Sequence, residues 1–233
     1  MRARAAAVKD VGLKKRQVGA FLLRHSRLFP RKKNWGARYR SWLETQSFEH
    51  PADQIVLQEG IESVRLAEER LARLDRAIGE FLPTWGLAPL VEALRGVDLV
   101  TAVTFVVEVG DIRRFESPRQ LMGYLGLVPG ERSTGETVRR GSITKMGNAR
   151  VRHLLVESAW TYRHPPRVGK AKLPKLERVS PKVREIAWKA QSRLTARYRA
   201  LTARGKKTTV TCTAIARELA AFMWAVAREA RPA

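Results

Sequence analysis

Apolar positions along this chain recur mostly every three or four residues, with few alternating runs, so the pattern predicts helices broken by glycine and proline. A first helix is expected over "ARAAAVKDVGLKKRQVGAFLLRH", stopped by Pro30, and a short second one over "GARYRSWLETQ". Pro51 opens a long helical segment and Pro83 closes it. Within it Leu57, Ile61, Val64, Leu71, Ile78 and Leu82 keep a three/four spacing, and Glu68 and Asp75 interrupt the seam. That pattern fits a helix lying along its own domain, and it equally fits a coiled-coil-like arm that joins a second copy; the interruptions favour the first.

From Leu87 the texture becomes compact and apolar. "RGVDLVTAVTFVVEVGDIRRF" predicts a turn at Gly96, a helix and a C-cap at Gly110, the outline of a helix-hairpin-helix-like element or of an ordinary core helix pair. Ser117 and Pro118 mark the next helix start. A short hairpin is the most strand expected, around 128–143. A helix then begins near Asn148 and ends at Pro165 and Pro166; "RVGKAKLPKLERVS" reads as a basic linker. Two more helices follow, one capped by Ser180 and ending at Gly205, the last apolar enough to be core. The expected fold is therefore mainly α: a basic helical connector and coiled-coil-like arm over 1–85, then a compact helical domain over 86–233 that carries a basic Gly/Ser loop. No internal repeat or low-complexity tract interrupts it.

Charge narrows the choice of partner. The chain has 233 residues, is 44% hydrophobic and carries a formal charge of +23. Residues 1–50 hold 13 Lys/Arg and 3 Asp/Glu, residues 51–135 hold 9 and 13, and residues 136–209 hold 20 and 4. Two basic blocks flanking an acidic middle point to nucleic acid, whose phosphates accept many such contacts at once. A membrane surface fits less well, because no segment joins a strong apolar face to a basic one and no apolar run reaches spanning length. The single cysteine, Cys212, excludes an internal disulfide and fits a reducing cytoplasm. The four histidines show no metal-ligand spacing, so a zinc site is not expected.

The segment "RSTGETVRRGSITKMGNARVRHLL" holds the candidate chemistry. Ser133 and Thr134 precede Gly135, so the backbone can turn tightly and present a hydroxyl. Arg132, Arg139, Arg140 and Lys145 surround it with cations suited to an anionic phosphoryl group. Lys145 and Asn148 stand at the next helix start, where phosphate binds well, and Arg150 and Arg152 extend the basic character. No Ser/His/Asp arrangement is evident, and a hydroxyl without a base is a poor nucleophile. On these grounds alone the loop grips phosphates without chemistry.

"VDLVTAVTFVVEVGDIRRFESPRQLMGYLGLVP" and "STGETVRRGSITKMGNARVRHLLVESAWTYRHPP" resemble the C-terminal domain of a bacterial insertion-sequence transposase family, the Piv-like, bridge-RNA-guided recombinases. Those enzymes join a RuvC-like DEDD domain to a serine-bearing domain. The basic N-terminal helices are similar to the connector after the DEDD domain. The resemblance implies DNA transposition, a serine that attacks a DNA phosphate, and DNA and a structured guide RNA as partners. It also implies Mg²⁺ held by DEDD carboxylates, a set expected to lie outside this chain, so that no cofactor is expected here and the chain alone is expected to bind without cutting. Where the family has Ser-Ser-Gly or X-Ser-Gly, this chain has Ser133-Thr134-Gly135, and either hydroxyl is a candidate nucleophile. The alternatives are a non-catalytic DNA- or RNA-binding protein and a helical protein that takes an acidic partner.

Overall fold

The computed structural model describes residues 1–31, 35–81, 86–131, 134, 137 and 140–229. The chain divides into two compact units, Met1–Glu80 and Phe81–Ala233. The fold is mainly α-helical, with ten α-helices and one two-stranded hairpin among the described residues.

The first unit holds α1 (Arg2–Arg24), α2 (Ala37–Glu44) and α3 (Pro51–Phe81). Helix α1 ends at His25, before Pro30, because Ser26 takes a left-handed backbone (φ 55°). Val18, Phe21 and Leu22 of α1, Tyr39 and Leu43 of α2, and Leu57 and Val64 of α3 form one apolar cluster, with Ile61 packed against it. The two seam interruptions have partners within this unit. Glu68 pairs with Lys15 at 2.6 Å and with Arg40 at 2.9 Å, and Asp75 pairs with Arg4. Burial works against ionisation of Glu68, but the Lys15 and Arg40 bonds outweigh it and hold its carboxyl below the ordinary value. The closing role expected of Pro83 lies outside the described residues.

The second unit is built around α10 (Thr208–Arg228), which packs on α9 (Pro181–Ala203), α7 (Ala149–Ala159), α6 (Pro118–Tyr124) and α4 (Leu87–Glu92). Cys212, Ile215, Leu219, Met223 and Val226 recur at helical spacing on α10 and are buried. This helix is long and apolar enough to cross a bilayer, which the reading of consecutive apolar runs missed because Arg217 and Glu218 interrupt it. Here its apolar face forms the core. The expected basic linker also has structure of its own, a 3₁₀ turn at Lys170–Lys172 and the short α8 (Leu173–Glu177).

Helices α4 and α5 (Leu99–Val109) meet at a turn through Gly96 (φ 78°). Asp98 caps α5 by accepting from Thr101 N at 2.8 Å. The Lys172 ammonium plugs the end of α4, donating to the carbonyls of Glu92, Leu94 (2.9 Å) and Val97 (2.6 Å). Burial, with Lys175 adding to it, pushes Lys172 down to about 8, while three carbonyl acceptors favour its charged form.

Strands β1 (Pro129–Glu131) and β2 (Arg140–Ile143) pair antiparallel, within the 128–143 span expected for a hairpin. Their root is crowded. Gly126 (φ 63°) lies against the Met146 backbone, and Gly147 (φ 75°) against the Tyr124 carbonyl. A Cβ at either position would collide with backbone that has no room to yield, on top of the strain of the left-handed conformation. Gly126→Ala and Gly147→Ala are each expected to cost more than about 2 kcal/mol in urea unfolding. Gly141→Ala, whose added Cβ meets only Gly130 O at 3.7 Å, is expected to stay within about 0.5 kcal/mol. In the first unit, Glu68→Gln should destabilise at neutral pH. The wild-type advantage is present above the ordinary carboxyl value of 4.5 and is lost as pH falls through the lower folded value; urea titrations of both proteins across acid pH check this.

Candidate functional site

The hydroxyl loop is the far end of a hairpin whose base is fastened at several points. Thr144 N donates to Val128 O at 2.9 Å, Lys145 N to Gly126 O at 3.1 Å, and Asn148 N to Tyr124 O at 3.4 Å. The Arg152 guanidinium reaches back from α7 and donates from Nη1 to Leu125 O (2.8 Å) and Met146 O (3.0 Å). These bonds join the C-terminal end of α6, the hairpin root and the first turn of α7. At the other end, Thr134 and Thr137 exchange backbone hydrogen bonds at 3.2 and 3.1 Å in an antiparallel bridge, and Thr134 is exposed.

Glu108, near the end of α5, aims the start of α7. Asn148 caps α7 by accepting from Val151 N at 3.0 Å, and its Nδ2 donates to Glu108 Oε2 at 2.9 Å. Arg150 Nε lies 3.8 Å from Glu108 Oε1. Tyr124 Oη donates to the Glu108 carbonyl at 3.2 Å. Sequence reading missed Glu108 and Tyr124, although a lone carboxylate in the apolar run "TFVVEVG" was a usable signal.

The residues singled out from sequence therefore separate. Arg152 and Asn148 hold backbone and neighbouring side chains in place, and Arg150 leans on a carboxylate. Lys145 is exposed, and its backbone is left-handed (φ 57°). It lines a groove of about 370 Å³ between the hairpin and the first turns of α10, together with Ser142, Ile143, Thr209 and Arg217. Neither Lys145 nor Arg217 has a carboxylate partner among the described residues. Arg132, Ser133 and Arg139 lie outside the described residues, and Arg140 is placed through its backbone in β2. Among the described residues no three His, Cys, Asp or Glu side chains gather in a way that could hold a metal ion. The described residues therefore do not assemble the carboxylate set a divalent cation needs.

The segment that carries this hairpin is similar in sequence to known proteins. Residues 88–173 match the model of the transposase IS116/IS110/IS902 family, a span that includes α5, α6, the hairpin and α7. The chain is 63% identical to the putative transposase y4qE of Sinorhizobium fredii, over 99% of this chain and 57% of that protein. It is 27% identical to the transposase for insertion sequence element IS1533 of Leptospira borgpetersenii, over 89% of this chain and 61% of that one. A probable family 20 transposase of Pseudomonas aeruginosa is 34% identical over 45% of this chain. Residues 88–173 carry the match to the transposase IS116/IS110/IS902 family, and the chain spans about three-fifths of the length of the Sinorhizobium and Leptospira relatives.

Stability and binding should part company at this site. Arg152→Met leaves two carbonyls without their donor and is expected to cost about 1–3 kcal/mol in urea unfolding, with no change in the salt dependence of nucleic-acid binding. Lys145→Met is expected to leave stability within about 0.5 kcal/mol and to flatten that salt dependence by about 0.9 of a unit.

Proposed function

We propose that this chain acts in DNA transposition by binding DNA phosphates along the hydroxyl hairpin and supplying the hydroxyl half of a phosphoryl-transfer site. One observation carries the reading: the hairpin is fixed to α6 and α7 by backbone contacts while Thr134 and Lys145 stay exposed. A fixed base that carries an exposed lysine, with an exposed hydroxyl at the far end, suits a group that must meet a phosphate in a set geometry. Cations beside the hydroxyl favour the negative charge on the non-bridging phosphate oxygens as the hydroxyl oxygen bonds to phosphorus and a deoxyribose oxygen departs. Either Ser133 or Thr134 takes the role of nucleophile. Activation of that hydroxyl and the metal-binding carboxylates are assigned to a separate domain of the same recombination machinery. Phosphate binding is assigned to the hairpin and not to the Gly96 turn, whose glycine packs against Ser158 O and Thr161 Oγ1. A guide RNA and self-association through α3 belong to the same reading.

Binding and chemistry are tested separately. Replacing Arg139, Arg140 and Lys145 with glutamine should weaken duplex DNA binding and flatten the log–log salt slope by about 0.9 per lost contact. An unchanged slope removes the hairpin from the interface. In the reconstituted recombination complex, a covalent protein–DNA adduct should disappear in only one of Ser133→Ala and Thr134→Ala. An adduct that survives loss of both hydroxyls rejects the assignment.

A further inference from the structure

A second cationic site lies away from the hairpin, in a cavity of about 230 Å³ between the turn after α4, the 167–176 segment and the first half of α9. By size it holds one planar heterocycle, since roughly 150 Å³ already accommodates a benzene ring. Arg184, Trp188 and Gln191 reach it from one face of α9, at i, i+4 and i+7. Arg95 and Arg167 flank it, and Leu176 adds an apolar wall. Among the described residues Arg95, Arg167 and Arg184 have no carboxylate partner. The surrounding stretch 163–189 has nine Lys/Arg and two Glu.

Three features give the cavity a chemical character. Trp188 is 52% exposed, an unusual state for the largest aromatic side chain beside a cavity, and no cation covers its ring among the described residues. Gln191 is buried, and its Oε1 accepts from Arg95 Nη1 (3.3 Å) and Arg167 N (3.2 Å), which leaves its Nε2 to donate. Burial, with the nearby Arg167 adding to it, pushes the Arg95 guanidinium below its ordinary value, so an anion here would relieve unfavourable charge. Arginines without carboxylates, one open indole and one amide donor match a nucleotide: phosphate, base face and base edge.

We propose that this cavity binds one unpaired nucleotide of the nucleic acid held by the chain, with its base on the Trp188 indole, its phosphate on Arg167 and Arg184, and Gln191 Nε2 donating to the base edge. The proposal goes beyond phosphate binding at the hairpin and rests on the reading that the chain binds nucleic acid. It means that strand distortion or a looped-out base is recognised at a place separate from the hydroxyl hairpin.

The test compares a short labelled duplex with the same duplex carrying one bulged adenosine, by fluorescence anisotropy on the full chain at fixed salt. The wild type should prefer the bulge by at least about fivefold, the lower bound of base–aromatic stacking. Trp188→Ala should erase the preference while leaving the affinity for the perfect duplex unchanged, which also reports that the variant is folded. Trp188→Phe should retain most of it, and an abasic bulge should show none. Bulged DNA and bulged RNA duplexes run side by side identify the source by the larger preference. Equal wild-type affinity for bulged and perfect duplexes, or a preference that survives Trp188→Ala, overturns this proposal alone. No binding to either duplex overturns it together with the hairpin reading.

Discussion

Two pieces of backbone, Tyr124–Gly126 and Met146–Gly147, approach so closely that no Cβ fits at Gly126 or Gly147. The approach sets where the chain leaves α6, where it enters α7, and therefore the direction of the hairpin between them. Both glycines take positive φ, which other residues adopt only at a cost. Arg152 completes the contact, because its guanidinium bonds carbonyls from both pieces, Leu125 and Met146. The nearby Glu108 ties the Asn148 cap to the end of α5. The result is a loop carried on a small fixed platform, a useful arrangement when a hydroxyl and a phosphate must meet in one geometry.

This platform explains why a run of cations is not a uniform binding surface. Arg152 is as basic in sequence as Lys145, yet its donors face backbone carbonyls and it acts as a structural bolt. Lys145 and Arg217 border a groove with no carboxylate opposite them among the described residues. The same division appears near the second cavity. Lys172 and Lys175 are taken up by the carbonyls and the carboxylate at the end of α4, while Arg167 and Arg184 remain available.

Much of the fold was legible because caps and glycines act locally. Asn148, Ser117 and Ser180 cap the helices that the sequence assigns to them, and the hairpin falls within its expected span. The expected span of α1 ends at His25, where the helix does end, but the residue that stops it is the left-handed Ser26 and not Pro30, because a left-handed serine leaves no signature as plain as proline. The interruptions at Glu68 and Asp75 were legible as interruptions, but their partners on α1 and α2 depend on tertiary packing. The basic loop was found from composition and resemblance, whereas the separation of its residues into anchors and free cations was not. That separation depends on which carbonyls come within reach of Arg152, and residue spacing does not encode it. The Arg95–Trp188 cavity was missed for the same reason, since it joins residues nearly a hundred positions apart.

The central claim is that the hairpin stands on a fixed platform. Native-state amide hydrogen exchange tests it most directly at Thr144 and Lys145, whose N–H groups donate to Val128 O and Gly126 O. If the platform is as described, both amides exchange as slowly as the buried turn of α7 around Leu155, and they open with that helix as one unit. Exchange at both sites as fast as in an open loop, with α7 still protected, would contradict it.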